Sequence, residues 1–185
     1  MERNIFNTEH EMYRDSFRSF VKSSVVPHQE KWLKAGMVSR EVWLEAGKQG
    51  YLLPWASEKY GGAGATDFQY EQIVAEELAR VGESGFAIPL HSPIVAPYIA
   101  EYGSEEQKEK FLPSAIKGET ILAIAMTEPG TGSDLAGMRT TAVDRGDYFE
   151  LNGGKTYITN GVLADVVIVA AKTHPDQSHA MGLLL

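Results

Sequence analysis

The sequence predicts an α+β chain: an N-terminal all-helical domain over residues 1–120, then an incomplete antiparallel β-domain over residues 121–185. Three observations predict it. Up to Gly118 the apolar residues recur at helical spacing behind capping patterns. After Glu119 the period changes to short apolar and β-branched runs separated by glycine turns. The chain then reaches Met181-Gly182-Leu183-Leu184-Leu185, a strand-like run with no cap. An uncovered apolar edge of that kind invites association, so the sequence reads as truncated, with partner segments beyond Leu185.

The helical elements follow in order. Thr8-Glu9-His10-Glu11 reads as a capping box, with Met12, Phe17, Phe20 and Val21 recurring behind it. Pro27 is expected to end or kink that helix and to push Val26 out of the α region. A second helix fits Arg40 to Lys48, with Val42, Trp43 and Leu44 as packing residues. Tyr60-Gly61-Gly62-Ala63-Gly64 is a loop. Thr66-Asp67-Phe68-Gln69 reads as another capping box, opening a helix with Phe68, Ile73, Val74 and Leu78 on or near one face. The proline-spaced run from Ile88 to Tyr102 reads as a buried helix that begins late and turns at Gly103. Ser104-Glu105-Glu106-Gln107 is a third capping box, before a helix that Pro113 must bend or end.

In the second half, strands are predicted at Ile121 to Ala125, Thr140 to Val143, Tyr148 to Leu151, Tyr157 to Thr159 and Val166 to Ala170. Asn152-Gly153 supplies a hairpin turn between the third and fourth of these.

Composition narrows the function. The net charge of −8 argues against nucleic acid or an anionic membrane as the main partner, because both need a cationic face. Zero cysteines excludes disulfides, thiolate-bound zinc and a thiol nucleophile. The N-terminus shows no basic stretch followed by an apolar run, and no window reaches the roughly 18 apolar residues of a membrane span. A cytoplasmic protein is the expectation.

The chemistry concentrates in Met126-Thr127-Glu128-Pro129-Gly130-Thr131-Gly132-Ser133-Asp134 and Lys155-Thr156-Tyr157-Ile158-Thr159-Asn160-Gly161. Each places hydroxyls and glycines where an apolar strand gives way to a turn. Small residues let main-chain N–H groups approach a ligand, and Thr127, Thr131 and Ser133 add donors and acceptors. The first stretch is no Walker loop, and Leu135 stands where a dinucleotide fingerprint needs its third glycine. On spacing alone, an ordinary hairpin loop remains an equal reading.

The stretch from Ala125 to Asp134 resembles the flavin-binding signature of the acyl-CoA dehydrogenases, and Leu151 to Gly161 resembles the family's second flavin-contacting strand. Tyr60-Gly61-Gly62, Glu76-Glu77-Leu78-Ala79-Arg80 and Tyr102 to Lys108 agree in order, with wording closest to the long-chain members. The resemblance implies FAD as cofactor, held by Ile124, Ala125, Met126, Thr127, Gly132, Ser133, Tyr157, Ile158 and Thr159. It places the Thr127 hydroxyl near the flavin pyrimidine, Tyr157 beside the isoalloxazine and the Thr159 hydroxyl toward flavin N5. Ser133 would also meet the acyl-CoA substrate. Many relatives carry Trp at the place of Tyr157, which keeps an aromatic wall. The resemblance further implies α,β-dehydrogenation of acyl-CoA thioesters, electron-transfer flavoprotein as acceptor, and a homo-oligomer. Its catalytic glutamate belongs to a C-terminal helical domain, so no catalytic residue is assigned within these 185 residues, and the chain alone is expected to be inactive. An acyl-CoA oxidase would share this flavin site. A non-catalytic binding module using its sheet edge is a reading from another class.

Other candidates weigh toward structure. Adjacent helix residues point about 100° apart, so Glu76 and Glu77 read as structural. Glu128 and Asp134 read as loop-shaping, and His91 as a core residue. Phe86 to Leu90 would border the acyl pocket in the resemblance, though helix packing explains it too. Lys155 and Arg139 read as solvated hairpin charges before phosphate ligands. His174-Pro175-Asp176-Gln177-Ser178-His179 is a weak metal clip, with no third ligand nearby.

Overall fold

Helix α1 (Thr8–Phe20) is capped by Asn7, one residue ahead of the predicted cap. The Asn7 side chain accepts from the His10 N–H at 2.9 Å, and His10 Nδ1 accepts from the Asn7 N–H at 3.2 Å. Histidine thus takes the reciprocal role that Glu or Gln usually plays. Phe17, Phe20 and Val21 are buried, whereas Met12 is exposed. Pro27 neither ends nor sharply breaks the path. A π turn at Val21–Val25 and a 3₁₀ turn at Val26–His28 carry it into α2 (Gln29–Ala35), and the Val26 N–H reaches back five residues to the Val21 carbonyl. The wider turn accommodates the donor that Pro27 lacks, and Val26 stays in the α region at φ −52°.

Helix α3 (Arg40–Lys48) buries Val42 and Trp43 but exposes Leu44. Helix α4 (Gln69–Arg80) buries Ile73, Val74 and Leu78, while Phe68 is exposed at its N-terminus. Its start is an Asp67 turn, with the Gln69 N–H donating to the Asp67 carboxylate at 3.1 Å, and not the predicted Thr66 box. The proline-spaced segment is helical from its first residue. Helix α5 (Ile88–Leu90) runs through a π turn at His91–Val95 into α6 (Ala96–Tyr102). Helix α7 (Glu105–Ile116) carries the predicted Ser104/Gln107 box and continues three residues past Pro113. The core of this unit is aromatic: Phe17, Phe20, Trp43, Tyr51 and Phe86 all lie within a few per cent of full burial. Each such side chain contributes roughly 1.5–3 kcal/mol by leaving water.

The second unit is a sheet. The computed structural model describes residues 5–174 and 181–185, and the chain separates into units Met1–Ile121 and Leu122–Leu185. Among the described residues the strands are β1 (Leu122–Ala125), β2 (Thr141–Asp144), β3 (Phe149–Asn152), β4 (Val166–Lys172) and β5 (Met181–Leu184). The pairs β2–β3 and β4–β5 are antiparallel. Strand β1, however, runs parallel to β4, with Ile124 opposite Ile168, so the sheet is mixed and not antiparallel throughout. The long connection between them, which contains the β2–β3 hairpin, permits a crossover that a short turn cannot make.

The sheet unit also departs from the predicted turn and strand. Asn152-Gly153 turns no hairpin, because no strand follows it at 157–159; the turn between β2 and β3 lies at Arg145 to Tyr148, around Gly146 at φ 92°. Tyr157 to Thr159 is no strand, because Tyr157 and Asn160 are both left-handed, at φ 56° and 64°, and cannot continue a ladder.

Candidate functional site

Both chemistry-bearing segments lie in the sheet unit. Where β1 ends, the chain makes a tight turn: Glu128 and Thr131 exchange main-chain hydrogen bonds at 2.9 and 3.0 Å across Pro129-Gly130. Proline fixes the entry to this turn and glycine leaves it unencumbered. A Cβ at Gly130 or Gly132 would meet nothing within 4 Å, so both glycines border open space.

The second segment, 155–160, runs antiparallel along β1 without joining its ladder. Lys155 Nζ donates to the Met126 carbonyl at 2.9 Å. The Thr156 N–H donates to the Thr127 carbonyl at 3.0 Å. At the far end the Asn160 side-chain amide reaches the Leu122 carbonyl at 3.2 Å. Tyr157 stands between these anchors, 92% exposed on a left-handed backbone. An exposed aromatic ring held in a strained conformation is stored strain of the kind found at ligand sites.

Glu128 ties the two segments together. Its carboxylate, 7% exposed, accepts from the Arg139 N–H at 2.7 Å, the Thr140 N–H at 2.9 Å and Lys155 Nζ at 2.9 Å. Burial alone would raise its pKa, but Thr140, the Arg139 N–H and the Lys155 ammonium outweigh it and hold the carboxyl down at about 2. Glu128 is therefore a fixed anion that shapes the loop. Asp134 is exposed, and its carbonyl accepts from the Gly137 N–H.

The nine residues expected at the cofactor fall in this region. Ile124 and Ala125 are the last residues of β1, the first half-buried and the second buried. Met126 and Thr127 are half-buried, with both carbonyls held by the second segment. Gly132 and Ser133 are exposed on the turn; Ile158 is half-buried and Thr159 exposed. The hydrogen bonds bring Met126 and Thr127 against Lys155 and Thr156; none of them links Gly132 or Ser133 to the second segment. Lys155 and Asn160, within the quoted segment but outside the nine, are the residues whose side chains anchor it to β1 and its end. Lys155 is no solvated hairpin charge, since its side chain is 11% exposed and paired inward. The Asn-Gly pair at 160–161 was the available signal for a left-handed turn.

The remaining candidates resolve as structure. Arg14 Nη1 bonds Glu76 at 3.0 Å and Glu77 at 3.1 Å, and Arg18 Nε bonds Glu77 at 2.8 Å. His91 is fully buried, with Nε2 3.2 Å from the Ala115 carbonyl, and burial pushes its pKa down to about 4 against that hydrogen bond. The proposed His174–His179 clip lies, from Pro175 onward, outside the described residues. Among the described residues no three His, Asp or Glu side chains are placed to hold a metal, and no helix is long and apolar enough to cross a membrane.

The described residues thus form a helical unit followed by a mixed sheet whose first strand opens into a hydroxyl- and glycine-bearing turn. The chain belongs to the acyl-CoA dehydrogenase family: the model of its N-terminal domain matches residues 7–119 and that of its middle domain matches residues 123–185. The long-chain specific acyl-CoA dehydrogenase of Mus musculus mitochondria is 50% identical over 184 residues, covering 99% of this chain and 43% of that protein. The crystal structure of an acyl-CoA dehydrogenase from Geobacillus kaustophilus superposes with a TM-score of 0.94 at 49% identity, over 99% of this chain and 49% of that one. An acyl-CoA dehydrogenase from Bacillus anthracis, complexed with FAD, gives a TM-score of 0.86 at 36% identity, over 95% of this chain and 31% of that one. The chain thus spans less than half the length of the curated relatives it matches.

Proposed function

We propose that these residues supply the helical N-terminal domain and the first part of the flavin-binding β-domain of an FAD-dependent acyl-CoA dehydrogenase, which oxidises acyl-CoA thioesters between Cα and Cβ. The observation that carries this reading is the strapping of segment 155–160 along β1, which holds Tyr157 exposed and left-handed beside Thr159. The open space at Gly130 and Gly132 suits close approach of a phosphate-bearing group. The residues that would hold FAD are Ile124 to Thr127, Gly132, Ser133 and Tyr157 to Thr159, with Ser133 also meeting the acyl-CoA. When bound, the flavin supplies the hydride acceptor.

The chain's own groups bind and orient. Proton removal from the substrate is assigned to none of the carboxylates that the sequence singles out. Glu76 and Glu77 are consumed by Arg14 and Arg18, and Glu128 by Arg139, Thr140 and Lys155. Losing a positioned base removes about 10²–10⁴-fold of rate, so activity is assigned to the whole protein. Electron-transfer flavoprotein as acceptor and a homo-oligomeric state complete the proposal.

The test is anaerobic titration of the flavin-loaded full-length polypeptide with acyl-CoAs of increasing chain length. Bleaching of the visible flavin bands is the expected result. A flavin that no acyl-CoA reduces would overturn the reading.

A further inference from the structure

The sheet unit contains a nearly buried ion pair. Lys155 and Glu128 meet at 2.9 Å with side chains 11% and 6% exposed. Two partly desolvated charges are kept only where further hydrogen bonds satisfy them, and here they are. Glu128 also takes the Arg139 and Thr140 N–H groups, while Lys155 also holds the Met126 carbonyl. One pair therefore fixes three pieces of chain: the end of β1, the approach to β2, and the start of segment 155–160.

We propose that Lys155 and Glu128 are positioning residues for the flavin, a clasp that sets the orientation of the Met126–Thr127 peptide and the placement of Tyr157 to Thr159. This rests on the functional reading above. The peptide is planar and trans, so a Met126 carbonyl held by Lys155 turns the Thr127 N–H the opposite way, out from the clasp. The next carbonyl, of Thr127, is taken by Thr156. With both carbonyls drawn toward the second segment, the Thr127 N–H is left directed to the other side. The same lysine begins the segment whose other end Asn160 fixes, so its loss frees one of the two anchors flanking left-handed Tyr157.

The experiment measures FAD affinity, visible band shape and flavin fluorescence for the full-length protein and for Lys155→Met, Lys155→Arg, Glu128→Gln and Lys155→Met/Glu128→Gln, with the melting temperature of each flavin-free form. Removing a charge-assisted bond that orients a ligand group predicts FAD weakened about 10- to 100-fold in Lys155→Met and about tenfold in Glu128→Gln. The flavin band should lose fine structure, the double variant should be little worse than Lys155→Met, and Lys155→Arg should recover most of the affinity. If Lys155→Met does not fold, Glu128→Gln carries the measurement. Unchanged affinity and band shape alongside a lowered melting temperature would make the pair a structural brace only and overturn the proposal. An unsubstituted protein that takes up no flavin would instead sink the functional reading, and this inference with it.

Discussion

Asn160 ties the candidate site to the first strand by donating its side-chain amide to the Leu122 carbonyl across 3.2 Å, while its own backbone is left-handed at φ 64°. Asparagine suits both demands, since it tolerates the left-handed region and carries a donor. Asn160→Ala loses both advantages and should destabilise the sheet unit by about 2 kcal/mol. Asn160→Gly keeps the backbone freedom and should lose about 1 kcal/mol. Urea denaturation of the two variants separates the contributions. Equal losses would mean that the left-handed backbone is not under strain.

Glu77 is 1% exposed and meets three cations, Arg18 at 2.8 Å, Arg14 at 3.1 Å and Arg80 at 3.6 Å. The Arg18 hydrogen bond outweighs burial and, with Arg14, holds the carboxyl below its ordinary value of 4.5. A depressed carboxylate contributes stability above its unfolded pKa and loses it as pH falls through the folded value. Glu77→Gln should therefore cost about 2–3 kcal/mol at neutral pH, because it leaves Arg14 partly unpaired in a buried position. The gap to the unsubstituted protein should close as pH drops below about 4.5. A melting-temperature difference that is flat with pH would contradict the ion-pair account.

The division into helices and then strands was legible because hydrophobic period is a local signal, and the Ser104/Gln107 box was read at its true residues. What escaped the sequence were features set by tertiary contacts. The parallel pairing of β1 with β4 depends on a distant strand. The left-handed Tyr157 lies between the anchors Lys155 and Asn160, against the strand propensity of Tyr-Ile-Thr. Pro27 and Pro113 predict an end or a bend, but a π turn that neither proline encodes absorbs the first, and α7 runs three residues past the second. The site segments were recognised as pieces, but the clasp of Lys155 with Glu128 joins residues far apart in the chain, and charge alone made Lys155 read as solvated.

Glu71 gives the opposite pH dependence. It is 4% exposed on α4, and neither of its oxygens has a hydrogen-bond partner among the described residues. The Tyr13 hydroxyl on α1 is likewise buried without one, and the Glu71 charge adds to the burial that raises the phenol pKa. Burial pushes the Glu71 carboxyl up to about 8. For an acid with a raised pKa, the folded state keeps a proton that the unfolded chain releases near 4.5, so stability falls as pH rises from there to about 8. Glu71→Gln removes that slope. The variant should match or trail the unsubstituted protein near pH 4.5 and gain on it by on the order of 2–3 kcal/mol by pH 8. Chemical denaturation across this range tests it, and a difference that does not grow with pH would show that Glu71 ionises freely.

Gly47 and Gly118 report a backbone-to-backbone contact within the helical unit. A Cβ on Gly47, inside α3, would overlap the Lys117 carbonyl, and one on Gly118 would overlap the Trp43 carbonyl. Helix propensity alone makes Gly47→Ala stabilising by roughly 0.5–1 kcal/mol. The overlap is with main chain, which cannot swing aside as a flexible side chain can, and overpacking of this kind costs about 1–3 kcal/mol. The contact wins, so Gly47→Ala should destabilise. Gly118→Ala adds a left-handed backbone at φ 73° to the same overlap and should lose about 3 kcal/mol. Gly36, at φ 71° but with nothing within 4 Å, isolates the backbone effect, and its Ala variant should lose only about 1 kcal/mol. Urea midpoints should therefore fall in the order Gly36→Ala, then Gly118→Ala, with Gly47→Ala below the unsubstituted protein. A stabilised Gly47→Ala would show that α3 and the turn after α7 can separate without loss.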